Sequence, residues 1–145
     1  KSNLLLLNKI DETISIKFNA NEINQIVLQC DYEQISRCIF NLIKNSIESI
    51  QEKAKKIREF DKKIIIEITK INDYINLNIT DNGTGFPNEN EEDIIKPYYT
   101  TKDKGSGLGL SIVSKIINDH NGSISFKNLK TGAQIEIFLP IKNVN

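Results

Sequence analysis

The amino-acid sequence predicts a two-layer α/β (α+β) sandwich, in which helices cover one face of a mixed, mostly antiparallel sheet. The first observation is that β-branched, alternating runs occur as sequential pairs joined by short, turn-rich loops. These pairs are 63–69 with 74–80 and 123–128 with 133–140. The second observation is that a segment of helical periodicity precedes each pair, at 31–58 and at 110–120. Because strands adjacent in the chain usually pair with each other, antiparallel pairs should dominate.

The long helix has a clear start and a continuous apolar face. Asp31 can cap it, with Gln34 completing a capping box, and its pattern runs to about Arg58. The apolar face consists of Ile35, Cys38, Ile39, Leu42, Ile43, Ser46, Ile47 and Ile50. The second helix is expected to end at Asn121–Gly122, which is a typical C-cap.

The first thirty residues carry weaker signals. Residues 2–12 could form a short helix, 13–18 alternate as a half-buried strand does, and 26–30 (IVLQC) are a further strand candidate. We expect 1–12 to be an N-terminal helix or linker, 13–141 a single domain and 142–145 a tail. Since the chain begins with Lys1 rather than Met, we expect it to be part of a longer protein.

Composition excludes several classes of function. The chain has 145 residues, 19 Lys+Arg and 19 Asp+Glu, a balance that argues against a general nucleic-acid binder. Two cysteines without CxxC spacing are too few for a disulfide scaffold, so reduced thiols are expected. No apolar run reaches the roughly 18 residues that a membrane span requires.

Three constellations of residues could carry chemistry. On the long helix Asn41, Asn45 and Glu48 lie together beside the apolar face; they are either a solvated surface or oxygen ligands for a hard cation such as Mg²⁺. Asp81 ends an apolar strand within DNGTGFP, which is either an ordinary turn or a carboxylate that accepts hydrogen bonds from a ligand amine.

The third constellation is GSGLGLSI at 105–112, where Gly105, Gly107 and Gly109 precede a helix. Free N–H groups and the positive end of the helix dipole suit an anion there, and Lys102 lies just upstream. The spacing departs from the dinucleotide-binding GxGxxG motif and lacks the GK[ST] ending of a P-loop. Together, the three constellations describe a pocket for a metal, a base amine and phosphates.

The motifs NLIKNSIES, DNGTGFP, PYYTTKDKGSGLGLSIV and GAQIEIFLP resemble the N, G1, F, G2 and G3 boxes of the ATP-binding catalytic domain of sensor histidine kinases, in the GHKL (HATPase_c) superfamily. The resemblance covers about residues 10–140 and is greatest to nitrogen-regulation kinases of the NtrY type. It implies ATP and Mg²⁺ as ligands and a flexible ATP lid at 88–104. It also implies that residues 1–12 continue from a dimerisation domain.

The resemblance also implies roles for individual residues. Asn45 would coordinate Mg²⁺ with Asn41 and Lys44 beside it, and Asp81 would accept the adenine amino group. The other implied nucleotide-contacting residues are Ile50, Gly83, Gly85, Phe86, Tyr98, Thr101, Lys102, Gly105, Gly107, Leu108, Gly109 and Leu110. Tyr98 stands where the family usually has Phe, and Ala133 replaces a usual Thr, so a hydroxyl contribution to the adenine site is in doubt.

Two absences bear on the reaction. GHKL ATPases such as gyrase B and the Hsp90 chaperones carry an acidic residue one turn before the metal-binding Asn, but here that residue is Asn41, which cannot act as a base. The only histidine, His120, is expected to be a structural residue near the end of a helix, because the H-E motif of the family's phosphoacceptor is missing. Transfer of the γ-phosphate to a histidine on a separate domain is therefore favoured over ATP hydrolysis.

The resemblance implies partners as well. These are the parent's own dimerisation and phosphoacceptor domain, and a response regulator, possibly NtrX-like, whose aspartate receives the phosphate; no nucleic acid is expected. The parent is expected to be a homodimer in the plasma membrane with this domain in the cytoplasm. Three alternatives stay open: a GHKL ATPase, an anti-sigma-type serine kinase and a binding or scaffold module without catalysis.

Overall fold

The computed structural model describes residue 7 and residues 9–20, 23, 26–87, 90–95 and 109–141. In chain order the elements are β1 (Ser15–Ala20), α1 (Tyr32–Ala54), β2 (Lys63–Ile71), β3 (Tyr74–Asp81), α2 (Glu91–Ile94), α3 (Gly109–Asp119), β4 (Ser123–Asn128) and β5 (Ala133–Pro140). The five strands form one sheet in the order β1-β2-β3-β5-β4. Only the β1–β2 pair is parallel among these strands, so the predicted mixed, mostly antiparallel sheet is confirmed.

Apolar and polar side chains alternate along the strands, so the sheet has one buried apolar face and one polar face. In β3 the side chains of Ile75, Leu77 and Ile79 are buried, and their partners across the sheet are apolar except for Lys70, which lies opposite Ile75. The helices α1 and α3 pack over this face, as predicted. On the opposite face, Asn76 is buried but donates to Glu136 (2.9 Å), and its oxygen accepts from Asn78 (2.8 Å). These polar side chains therefore form hydrogen bonds with one another.

The long helix begins where the sequence predicts. The carboxylate of Asp31 accepts a hydrogen bond from the backbone N–H of Gln34 (3.0 Å), as expected of an N-cap. Its predicted apolar face is buried apart from Ile35 and Ile39, which are half-buried. The predicted end at about Arg58 is one turn too late, because the helix ends at Ala54 in a polar stretch.

Two strand predictions need correction. β1 covers 15–20 rather than 13–18, because Asp11 accepts hydrogen bonds from both the backbone N–H (3.0 Å) and the hydroxyl (2.6 Å) of Thr13, which forms a turn there. The predicted strand at 26–30 is wrong: these residues pair with no strand of the described sheet. Leu28 packs on the core whereas Val27 is 74% exposed, so this apolar run is a loop with one anchoring side chain.

The expected lid segment begins with an anchored turn. Asn90 accepts from the backbone N–H of Glu92 (3.1 Å) and starts the short helix α2, and Ile94 at its end is buried in the core. A helix was not predicted there because the string NENEED has no apolar periodicity. The segment 96–108, which holds most of the expected lid, lies outside the described residues.

Other expectations concern chain ends and cysteines. Leu7 is helical and fully buried in the core, but the predicted helix does not continue to residue 12, because residues 9, 10 and 12 form turns; residues 1–6 and 8 lie outside the described part. Cys30 and Cys38 are both free thiols, and burial raises the pKa of Cys38 to about 11, which makes it unreactive.

Within the described ranges, none of the helices is long and apolar enough to cross a membrane.

The turn between β4 and β5 depends on Gly132, which gives the first prediction. Replacing Gly132 with alanine should lower the free energy of unfolding by about 3 kcal/mol or more. Its φ is 95°, and an added Cβ would overlap the carbonyl oxygen of Asp81. Urea unfolding followed by circular dichroism measures the change.

Gly109→Ala is the matched control, because a Cβ there meets no described atom within 4 Å. It should leave the free energy of unfolding within about 0.5 kcal/mol of the original value, or raise it, since alanine favours a helix. Equal effects of the two substitutions would contradict this account of the β4–β5 turn.

Candidate functional site

Asp81 is the polar residue that the sheet places in its buried face. It is the last residue of β3 and continues the row of Ile75, Leu77 and Ile79 toward the helices. Its side chain is only 5% exposed. One carboxylate oxygen, Oδ1, accepts a hydrogen bond from the backbone N–H of Gly83 (2.9 Å). The strand thus fixes a carboxylate at the rim of an apolar core.

The environment of Asp81 opposes its ionisation only in part. Burial raises the pKa of Asp81 above its ordinary value of 3.8, while the N–H groups of Gly83 and Ala133, the Ser46 hydroxyl and the Lys53 charge lower the pKa. Ala133 thus contributes through its backbone where the family's usual Thr would add a hydroxyl. A buried carboxylate of this kind suits a ligand that donates an N–H group to it and keeps water away from it.

Ser46 lies beside this carboxylate and was missed as a site residue. It is 2% exposed on α1, and within the described residues its Oγ has no partner that meets hydrogen-bond geometry, although it lies near enough to lower the pKa of Asp81. Buried hydroxyls almost always have a partner. A ligand or a bound water next to Asp81 would supply it. The signal available in the sequence was a serine within an otherwise apolar stripe.

The turn after Asp81 packs directly on α1. A Cβ at Gly83 would overlap the hydroxyl of Ser49 and lie 2.8 Å from the backbone nitrogen of Ile50. The same hydroxyl accepts from the backbone N–H of Thr84 (3.0 Å). The resemblance implies that Gly83 contacts the nucleotide; the structure adds a packing reason for glycine, the close contact between the turn and the helix. Ile50 is fully buried beneath this turn.

Gly85 and Phe86 are held from the other side by Asn128, at the end of β4. The side-chain amide of Asn128 accepts from the backbone N–H of Phe86 (2.7 Å) and donates to its carbonyl oxygen (2.8 Å). The ring of Phe86 packs edge-on against Phe126, with centroids 5.7 Å apart. Gly85 has a φ of 74°, which favours glycine. Asn128 was missed because its role depends on contacts distant in sequence.

The polar face of α1 carries the candidate metal ligands. Asn41 and Asn45 are half-buried, and Lys44 is exposed with its ammonium 3.9 Å from a carboxylate oxygen of Glu48. Amide oxygens fit a hard cation such as Mg²⁺, and Asn45 could hold it. In the part of the chain that the structure describes, no group of three His, Cys, Asp or Glu could hold a metal. Any Mg²⁺ bound through Asn45 would therefore need phosphate and water oxygens as well.

The glycine-rich constellation is described only at its end. Gly109 is the first residue of α3 and faces open space among the described residues, and Leu110 is half-buried. The other site residues predicted in this region lie outside the described residues; they are Tyr98, Thr101, Lys102, Gly105, Gly107 and Leu108.

His120 has a structural role in the described contacts. Its Nε2 accepts a hydrogen bond from the backbone N–H of Asp31 (3.1 Å), and its Nδ1 lies 2.7 Å from the carbonyl oxygen of Ile116. These partners assign the neutral tautomer with the proton on Nδ1. The ring joins the end of α3 to the start of α1, in agreement with the prediction that His120 is a structural residue near the end of a helix.

Comparisons with known proteins show the family to which the chain belongs. Residues 30–143 match the family of "Histidine kinase-, DNA gyrase B-, and HSP90-like ATPase" proteins. An NtrY-like sensor histidine kinase of Rickettsia conorii is 35% identical over 137 residues, which are 94% of this chain and 22% of that protein. The nitrogen regulation protein NtrY of Azorhizobium caulinodans is 34% identical over 112 residues, which are 77% of this chain and 14% of that protein. The chain thus spans between 14% and 22% of the length of these relatives.

Solved structures show the same fold. The nucleotide-free catalytic domain of the histidine kinase ThkA superposes with a TM-score of 0.76 at 26% identity, over 97% of this chain and 91% of that chain. ThkA in complex with the response regulator protein TrrA gives a TM-score of 0.74 at 24% identity, over 97% of this chain and 40% of that chain. Since the family match covers most of its length, the chain belongs to the histidine kinase-, DNA gyrase B- and HSP90-like ATPase family, and the resemblance of its motifs to the catalytic domain of sensor histidine kinases is confirmed.

Proposed function

We propose that this chain binds Mg²⁺-ATP and presents the γ-phosphate to a histidine on a separate dimerisation domain of the same protein. The observation that carries the proposal is the buried carboxylate of Asp81 at the rim of the apolar core, with the buried Ser46 hydroxyl beside it. An acceptor and a hydroxyl at the end of an apolar wall suit the amino edge of adenine. Family membership supports the choice of ATP.

Each predicted residue has a place in this proposal. Asp81 would accept from the adenine amino group, with Ile50, Gly83, Gly85 and Phe86 shaping the pocket. Asn45 would bind Mg²⁺, with Asn41 and Lys44 beside it, and the cation would neutralise charge on the phosphates. The residues proposed to close over the phosphates and the base are Tyr98, Thr101, Lys102, Gly105, Gly107, Leu108, Gly109 and Leu110. The N–H groups at the start of α3 would add the positive end of a helix dipole.

The polar face of α1 favours transfer to a protein histidine over hydrolysis. A hydrolase needs a base that activates water, and Asn41 has no basic group in its amide. Glu48 has a carboxylate, but it lies one turn after Asn45 rather than one turn before it, and it pairs with the ammonium of Lys44 at 3.9 Å. The site therefore positions and stabilises the phosphates and leaves the nucleophile to another domain.

The relatives support a two-component context. The chain covers 22% of an NtrY-like sensor kinase, which leaves room in a parent of that kind for a dimerisation domain preceding residues 1–12. We propose that the phosphate passes from the histidine to the aspartate of a response regulator, possibly NtrX-like, as the complex of ThkA with a response regulator suggests. We further propose a homodimeric parent in the plasma membrane with this domain on the cytoplasmic side.

The proposed function is tested by adding the phosphate acceptor as a separate protein. The chain, [γ-³²P]ATP and Mg²⁺ are mixed with a separately purified dimerisation domain of an NtrY-like kinase. The label should appear on that domain as an acid-labile, base-stable phosphohistidine and should be absent with Asn45→Ala. Acid-stable label would instead indicate a serine kinase. Steady ATP turnover without the acceptor, lost in Glu48→Ala, would indicate an ATPase.

The substitution Asp81→Asn should weaken nucleotide binding without lowering the stability of the fold. An amide donates where Asp81 only accepts, so affinity for adenine nucleotides should fall by at least about tenfold in calorimetry. The free energy of unfolding at pH 7 should be unchanged or higher by about 1 kcal/mol, because the substitution removes a buried charge while Oδ1 still accepts from Gly83.

The pH dependence of this stability difference follows from the raised pKa of Asp81. The folded protein binds that proton more tightly than the unfolded chain, so the cost of the buried charge is present at neutral pH and disappears as the pH falls through the folded pKa. The stability difference between Asp81→Asn and the original chain should therefore shrink on acidification. Unchanged nucleotide affinity in Asp81→Asn would contradict the adenine assignment.

Asn45→Ala tests the metal assignment. Removing the amide oxygen should weaken ATP binding in the presence of Mg²⁺ by about tenfold and leave binding in EDTA nearly unchanged. Isothermal titration with ATP under both conditions measures the difference. Asn118→Ala, an exposed position on α3, serves as control and should change neither value. An equal loss in EDTA would mean that Asn45 contacts the nucleotide itself.

A further inference from the structure

We infer that Lys53 is a positioning residue of the nucleotide site: through one peptide group it fixes the carboxylate of Asp81 in its ligand-binding orientation. The inference rests on the proposed function, because it assigns Lys53 to the pocket in which Asp81 would bind adenine. Lys53 belongs to none of the motifs that predicted the site. It lies in the last turn of α1, two turns beyond Asn45.

The ammonium group of Lys53 is held in one place by two contacts. Nζ donates a hydrogen bond to the carbonyl oxygen of Asn82 (2.7 Å), which is short for such a bond. It also lies 4.6 Å from the centroid of the Phe60 ring, in cation–π geometry. The side chain is half-buried, so the contact is not a mobile surface interaction.

The carbonyl oxygen of Asn82 and the N–H of Gly83 belong to the same planar peptide group. That N–H donates to Oδ1 of Asp81 (2.9 Å), so one chain of hydrogen bonds runs from the ammonium of Lys53 through the peptide to the carboxylate. A charged donor on the oxygen polarises the peptide and strengthens the bond on its other side. Lys53 therefore fixes both the direction and the strength of the hydrogen bond that Asp81 accepts.

The peptide between Asn82 and Gly83 needs such a restraint. Glycine permits backbone angles that other residues resist, so the peptide before Gly83 could rotate and remove its N–H from Asp81. The side chain of Asn82 is fixed on its own side, where it accepts from the backbone N–H of Lys63 (3.0 Å) and donates to the carbonyl oxygen of Asp61. Lys53 holds the oxygen of the same peptide from the side of the helix.

The charge of Lys53 adds an electrostatic effect. The groups that act on the Asp81 carboxylate are the N–H of Gly83 in the turn, the Ser46 hydroxyl and the Lys53 ammonium from α1, and the N–H of Ala133 from β5. Lys53 is the one full charge among them. Asp61 and Lys63 reach the adjoining Asn82 through backbone atoms. Loss of the Lys53 charge should therefore leave the carboxylate easier to protonate.

The test compares Lys53→Met, which removes charge and donor, with Lys53→Arg, which retains both. Lys56→Met, on the exposed surface nearby, is the matched control. Affinity for Mg²⁺-ADP is measured by calorimetry between about pH 5.5 and about pH 8.5. Lys53→Met should weaken binding by about fivefold at the upper end and by more as the pH falls. Lys53→Arg should restore most of the affinity, and Lys56→Met should match the original chain.

A second readout needs no nucleotide. In Lys53→Met the amide proton of Gly83 should exchange with deuterium about tenfold faster, because the peptide is no longer held. If Lys53→Met is poorly folded, Phe60→Leu retains the ammonium but removes the ring beside it, and it should produce smaller changes in the same direction.

The outcomes separate this inference from the proposed function. If Asp81→Asn loses nucleotide binding while Lys53→Met keeps the original affinity, pH profile and Gly83 exchange, the inference is wrong and the proposed function stands. If Asp81→Asn binds as the original chain does, the proposed function is wrong. A loss of affinity in Lys53→Met that is independent of pH, with unchanged Gly83 exchange, would also overturn the positioning role.

Discussion

The buried carboxylate of Asp81 is the constraint around which the site is built. A strand that alternates strictly places its last side chain on the core face, and here that side chain is charged. The protein offsets the cost of burial with N–H groups of the following turn and of β5, and with the nearby Ser46 hydroxyl and Lys53 charge of α1. What remains is an acceptor at the rim of an apolar wall, which is stabilised enough to persist and still available to a ligand.

The surrounding backbone holds this group from several directions. The turn after Asp81 is pressed against α1 at Gly83 and fastened to the helix through Ser49. Asn128 holds the next segment through both backbone atoms of Phe86. Each contact joins elements far apart in the chain, so this segment keeps its position only while those elements are packed together. Burial of the Asp81 carboxylate lowers the stability of the fold, and the packing of the surrounding core compensates for that loss.

The sequence predicted the larger part of the fold. Asp31 capped the long helix as expected, and its apolar stripe predicted the buried face. The errors fell where a signal was short or local bonding competed. Residues 26–30 are a loop because a five-residue apolar run does not distinguish a strand from a loop with one buried anchor. β1 starts late because Asp11 draws Thr13 into a turn.

The proposed chemistry of the site comes from residue types and spacing: a carboxylate at a strand end, asparagines on a helix face and glycines before a second helix. These patterns depend on local periodicity, which a sequence displays directly. The residues that orient the carboxylate could not be read in this way. Ser46 looked like part of an apolar stripe, Asn128 like a turn residue and Lys53 like a surface charge. Their roles arise from packing between α1, β4 and the turn after β3, and such long-range contacts exist only once the sheet has brought those elements together.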